Sequence, residues 1–177
     1  MKRPKQLTLT KEMIREVESG GDYSNGRRKS RRPFISKEAL HIVCRSEIAK
    51  DELSLLLPKN RQRIDTLTNL LSIRFGIKIY DRATNQNHLH FLLRAQSKTA
   101  LTSFLRALPG MLAMRITGAK KGSPLTIRFW TKRIWSRIVS FGRDFRAVKK
   151  YIMQNTLEAL GLIPYTPRKI KKRFVPI

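Results

Sequence analysis

The sequence predicts an α+β fold, a ferredoxin-like βαββαβ antiparallel sheet extended by one additional C-terminal helix. Three observations predict it: apolar residues with strand character alternate along the chain with stretches of helical spacing, two strand stretches are separated only by a polar turn, and a helical pattern closes the order. Residues 39–47, ALHIVCRSE, form the first strand, with Leu40, Ile42 and Cys44 on one face and His41, Val43 and Arg45 on the other. Residues 61–76 bring Ile64, Leu67, Leu71 and Phe75 to one side of a helix that stops at Gly76. Residues 77–83 and 87–95 are strands that meet across the turn TNQ as an antiparallel hairpin. A helix over 97–118 begins at Ser97 as N-cap and carries Pro109 as a kink site. Residues 126–141, TIRFWTKRIWSRIVSF, are rich in β-branched and aromatic side chains and predict one long or bent strand. The last helix covers 143–160 and ends at Gly161.

The ends differ from this middle. Residues 1–33 are polar and include RRKSRRP, five of whose seven residues are cationic, so they read as a flexible basic arm. Residues 164–177, PYTPRKIKKRFVPI, carry three prolines and five Lys or Arg and read as a basic tail. One domain of about 130 residues, 34–163, remains between them.

Charge narrows the function. The 177 residues hold 38 Lys and Arg against 12 Asp and Glu, a net +26, far more than solubility needs, and nucleic acid is the first polyanion to consider. A membrane surface is the second, but no apolar run approaches a spanning helix and MKRPKQLTLTKE has no signal segment. The expected location is therefore cytoplasmic, associated with the nucleoid. The single cysteine, Cys44, excludes an internal disulfide and any zinc site built on Cys pairs.

Within NQNHLHFLLRA, His88 and His90 share one strand face with Leu92, while Leu89, Phe91 and Leu93 form an apolar face that points to the core. Two imidazoles about 7 Å apart along a strand are within reach of one metal ion. Two surface histidines on a solvated face are the plainer explanation of the pair alone. The last helix offers further groups: Phe145, Val148 and Ile152 form its buried stripe, and Tyr151 and Asn155, four apart, lie together on its margin.

With these residues the chain resembles the single-tyrosine HUH transposases of the insertion-sequence type, and in particular the REP-associated tyrosine transposases. The resemblance covers most of residues 20–163. It rests on the His-hydrophobic-His motif His88-Leu89-His90 and the Tyr-x-x-x-Asn motif of Tyr151 and Asn155, about sixty residues apart and in the expected elements. Some relatives have Gln where Asn155 stands. Two departures bear on substrate preference: Thr156-Leu157-Glu158 replaces a proline-containing sequence common in relatives, and the long basic arm is not universal.

The resemblance implies a catalytic domain over 34–163, with Tyr151 as nucleophile and His88, His90 and Asn155 as ligands of Mg²⁺ or Mn²⁺. It implies a DNA transposase or nickase that cleaves and rejoins single-stranded DNA through a 5′-phosphotyrosine, recognising hairpin DNA, as a monomer or homodimer. A phenol is mostly protonated near neutrality, so its proton needs an acceptor, and metal-bound water and Lys150 both remain open. His41 is a candidate for a supporting role. Arg27, Arg28, Lys29, Arg31, Arg32, Lys169, Lys171, Lys172 and Arg173 are candidates for phosphate contacts, and Trp130 and Trp135 for base stacking, although tryptophans in strands more often pack in cores. Two other readings compete: a non-catalytic nucleic-acid-binding protein on the same scaffold, and a metal-dependent phosphodiesterase that uses water.

Overall fold

A computed structural model of the chain describes residues 17–24, 31–120, 122–123 and 127–167. The basic candidates Arg27, Arg28, Lys29, Lys169, Lys171, Lys172 and Arg173 lie outside the described residues. Among the described residues five strands, β1 (Glu18–Ser19), β2 (Ala39–Arg45), β3 (Ile77–Thr84), β4 (His88–Ala95) and β5 (Trp135–Val139), form one antiparallel sheet in the order β1-β5-β2-β4-β3. Three α-helices among the described residues accompany the sheet: α1 (Pro58–Phe75), α2 (Lys98–Thr117) and α3 (Arg143–Ala159). Without β1 this is the expected βαββαβ order followed by a helix, and the mixed α+β class holds.

Each helix starts and stops for a local reason. Pro58 opens α1, where a missing N–H is harmless, and Gly76 closes it at φ 62°, its N–H bonded to the carbonyls of Ser72 and Ile73. Ser97 caps α2 by accepting a bond from the Ala100 N–H at 3.1 Å. The helix runs on through Pro109, whose carbonyl accepts the Trp130 indole N–H at 2.7 Å.

Period-two alternation divides the sheet into two unlike faces. Leu40, Ile42, Leu89, Phe91 and Leu93 pack against Ile64, Leu67 and Leu71 of α1 and Leu101, Phe104 and Leu108 of α2, forming the larger core. The opposite face packs Ala39, Ala83, Leu92 and Val139 against Val148 and Ile152 of α3. Ala39 and Ala83, both fully buried, let α3 lie close to the strands. A register shift between Ile79 and Asp81 makes Tyr80 a bulge. After it, Ala83 sits opposite His90, while Arg82 pairs with Asp65 of α1 at 2.9 Å.

Two expectations need correction. Among the described residues of the strand predicted over 126–141, the regular part is Trp135–Val139. Before it, the Phe129 carbonyl accepts the Ser46 hydroxyl, and Thr131 Oγ1 accepts the Glu47 N–H. Side-chain bonds thus satisfy groups that a ladder would otherwise take, and Phe129 is buried in the larger core with Trp130 packed against it. Part of the stretch assigned to a flexible arm also belongs to the sheet. Glu18 and Ser19 pair with Arg137 and Ser136, and Gly20 turns sharply at φ 85°, where a Cβ would come within 1.9 Å of the Ile134 carbonyl oxygen. Arg32 donates to Ser136 Oγ and, at 2.8 Å, to the Ile134 carbonyl. No apolar alternation marks two-residue β1, so the sequence pattern was silent there. Among the described residues, no helix is long and apolar enough to cross a membrane.

Cys44 lies in the larger core, and burial pushes its thiol up to about 12. A maleimide or disulfide reagent at pH 8 is expected to leave the native protein unlabelled and to modify Cys44 only once urea unfolds the domain, as followed by intact mass.

Candidate functional site

The site is built on the α3 face of the sheet. Pairing of β2 with β4 sets Val43 against His90 and Arg45 against His88, and β5 adds Trp135 beside Val43. His90 is buried and His88 half-buried. Their rings stand nearly perpendicular with centroids 4.8 Å apart. From α3, the half-buried Tyr151 ring meets the edges of His90 and His41 at 5.5 and 5.9 Å. One helical turn on, buried Asn155 donates from Nδ2 to the Tyr151 carbonyl at 2.7 Å. All four residues singled out as the catalytic and metal-binding set therefore meet across one strand and one helix.

The directions of the contacts that run from Asn155 through Asn85 to His88 follow from that carbonyl, which can only accept. Asn155 must turn its NH₂ to it and its Oδ1 towards the site. Oδ1 meets Asn85 Nδ2 at 3.2 Å, so Asn85 presents its own NH₂. The same NH₂ lies 2.7 Å from His88 Nε2, which must then accept. The His88 proton consequently sits on Nδ1 and is donated to Asn87 Oδ1 at 2.8 Å. The outcome is a pair of lone pairs, on His88 Nε2 and Asn155 Oδ1, aimed at one point. His90 stands on the other side: its Nδ1 lies 3.1 Å from His41 Nε2, and in the tautomer in which Nδ1 donates to His41 the lone pair is on Nε2.

These residues fit a divalent cation held by imidazole nitrogen and amide oxygen. The buried Oδ1 of Asn85 has no hydrogen-bond partner among the described residues, an unusual state that turning the amide over towards a cation held by His88 and Asn155 would relieve. Among the described residues no group of three His, Cys, Asp or Glu is placed to hold a metal ion by itself, and the amide oxygen of Asn155 is the further donor beside the two histidines.

Two clefts open onto this cluster. One, about 510 Å³, is lined by Asn85, His88, Tyr151, Asn155 and Tyr165. The other, about 440 Å³, is lined by His41, His90, Lys132, Arg133, Trp135 and Tyr151. His88 and Tyr151 belong to both. Tyr165 reaches the first because the chain folds back after α3, with the Thr166 N–H on Glu158 Oε1 at 3.3 Å. Lys150 is exposed and lines neither cleft. Arg31 is exposed, whereas Arg32 is committed to Ser136 and Ile134. Trp130 lies against the opposite core with its N–H taken by Pro109, so of the two tryptophans Trp135 is the one beside the histidines. Asn85, Asn87 and Tyr165 were not foreseen. The two asparagines flank the histidines in NQNHLH, where their turn propensity hid their second use.

His41 is 6% exposed, and its value falls to about 4, chiefly by burial and then by the nearby Arg137 charge, with Asp144 opposing. His41 is therefore neutral at physiological pH. Between its ordinary 6.5 and about 4 the unfolded chain binds a proton that the folded chain refuses, so stability falls as pH falls through that window and levels off below it. The full effect is up to about 3 kcal/mol at 1.36 kcal/mol per unit. Urea midpoints at pH 7 and 4.5 are expected to differ less in His41→Leu than in the unsubstituted protein.

The model for IS200-like transposases matches residues 34–155. Among solved structures, the chain is similar to a REP-associated tyrosine transposase bound to a REP hairpin, with a TM-score of 0.58 and 16% identity over 75% of this chain and 74% of that one. It is also similar to a putative transposase from Deinococcus radiodurans, with a TM-score of 0.43 and 17% identity over 72% of this chain and 98% of that one. No curated protein matches. At such identities the first likeness speaks for a shared fold, and the second adds no argument. The family match spans well over half of the chain and takes in both histidines, Tyr151 and Asn155, and on that ground the chain belongs to the IS200-like transposase family.

Proposed function

We propose that the protein cleaves and rejoins single-stranded DNA by tyrosine transesterification, acting next to hairpin DNA. The observation that carries this is the shared cleft wall of His88, Tyr151 and Asn155, with Asn155 bonded to the Tyr151 carbonyl. In the proposed step, Tyr151 Oη loses its proton and bonds to the scissile phosphorus. The bond from phosphorus to the 3′ oxygen breaks, and that oxygen takes up a proton as a 3′-hydroxyl. A 5′-phosphotyrosyl DNA remains, and attack by the same or another 3′-hydroxyl reverses the step without a nucleotide cofactor.

His88, His90 and Asn155 are the residues that would hold Mg²⁺ or Mn²⁺, which when bound supplies polarisation of a phosphate oxygen. The chain's own contribution is orientation. Asn87 keeps the His88 proton on Nδ1, His41 occupies His90 Nδ1, and the Tyr151 carbonyl aims the Asn155 oxygen. Arg133 at the second cleft favours a phosphate backbone, with Lys132 beside it paired to Asp22 at 2.8 Å, and the half-buried Trp135 offers an aromatic edge to an unpaired base. The likeness to a transposase bound to a REP hairpin supports hairpin DNA as the substrate class.

With labelled single-stranded hairpin oligonucleotides and Mn²⁺, a covalent protein–DNA adduct is expected, and Tyr151→Phe should abolish it while binding persists. Binding by the unsubstituted protein with no adduct over a broad hairpin library would mean a non-catalytic DNA-binding protein. Cleavage that survives Tyr151→Phe would mean hydrolysis by water. One chain supplies the whole set, so a mixture of Tyr151→Phe and His88→Ala proteins should stay inactive; recovered adduct formation would instead indicate sites shared between two subunits.

A further inference from the structure

Asn85 occupies the point on which the two lone pairs converge. Its NH₂ is 2.7 Å from His88 Nε2 and 3.2 Å from Asn155 Oδ1, so a neutral donor stands where a cation bound by those two atoms would stand. The other end of the same amide, Oδ1, is buried with no hydrogen-bond partner among the described residues. Backbone bonds pin the turn: the Asn85 N–H donates to the His88 carbonyl at 2.9 Å, the Gln86 carbonyl accepts from Leu55 at 2.9 Å, and the Asn87 carbonyl accepts from Ser46 at 2.8 Å. Any rearrangement at this point therefore falls to the side chain, whose terminal amide torsion is soft and roughly two-fold.

We propose that Asn85 is a fourth protein ligand of the divalent cation: in the metal-free state its NH₂ satisfies His88 and Asn155, and on metal binding the amide turns over and gives Oδ1 to the ion. This rests on the metal site proposed above for His88, His90 and Asn155. The exchange gives each state of the site a reason for the orientation of the amide oxygen. The donor end keeps two ligand atoms from facing each other without a proton or cation between them, and the acceptor end gains the partner it lacks. An amide oxygen is a hard ligand suited to Mg²⁺ and Mn²⁺, and it adds no charge that would have to be buried when the ion is absent.

The test is Mn²⁺ binding to the full chain without DNA, measured by the electron paramagnetic resonance signal of the free ion, with far-ultraviolet circular dichroism to establish folding. Asn85→Ala is expected to weaken binding by roughly tenfold, the lower end of what loss of a metal-supporting group produces. Asn85→Asp, which keeps an oxygen at the same place and adds a negative charge, is expected to bind at least as tightly as the unsubstituted protein. Asn85→Ala binding as tightly as the unsubstituted protein or more so, with binding lost in His88→Ala, would overturn the ligand role while leaving the metal site intact. Weakening in Asn85→Asp equal to that in a folded Asn85→Ala would overturn it as well. An unsubstituted protein with no saturable Mn²⁺ binding, or one whose binding is untouched in both His88→Ala and His90→Ala, would overturn this proposal together with the metal site on which it rests.

Discussion

The register between β2 and β4 is the constraint from which the rest of the site follows. With Val43 opposite His90 and Cys44 opposite Leu89, every imidazole falls on the α3 face and every large apolar residue of β4 except Leu92 on the other. A slip of one residue would bury His88 and His90 against α1 and α2 and expose Leu89 and Phe91 to the cleft. The penalty for that exchange is large, because those leucine and phenylalanine side chains anchor the main core at 1% exposure each. Burial of one face thus holds the polar chemistry of the other in register.

A second ordering principle works at the scale of single protons. One backbone carbonyl, that of Tyr151, fixes the orientation of Asn155, then of Asn85, then the tautomer of His88. The nucleophile candidate and the ligand candidates are consequently oriented by the same helix turn. Displacing α3 would release both together, which ties the phenol's position to the orientation of the candidate ligand atoms. His41 lies against His90 Nδ1, and its burial keeps it uncharged beside the candidate metal site.

Much of this was legible in the sequence. Alternation in 88–95 separated Leu89, Phe91 and Leu93 from the histidines, and the spacing of Tyr151 and Asn155 set them on one edge of the Val148–Ile152 stripe. Those signals are strong because burial imposes them residue by residue. The parts that escaped notice rest on contacts rather than patterns. Residues 127–134 have the composition of a strand but satisfy backbone groups through Ser46 and Thr131, and Glu18–Ser19 joins the sheet by pairing with β5 and not by any apolar signature of its own. Asn85 sits in a turn where asparagine is ordinary, and only the convergence of His88 and Asn155 on its side chain distinguishes it.

The bulge at Tyr80 shapes the electrostatic surroundings of the histidines from a distance along the strand. In an unbroken ladder, counting on from the pairing of Ile79 with Leu93, Arg82 would stand opposite His90 and point its guanidinium into the site. The extra residue reverses the parity of everything after it, so a methyl group, that of Ala83, takes that place, and the guanidinium is neutralised by Asp65 on the far side of the sheet. In a chain of net charge +26, this single inserted residue keeps a fixed cation away from the candidate metal site.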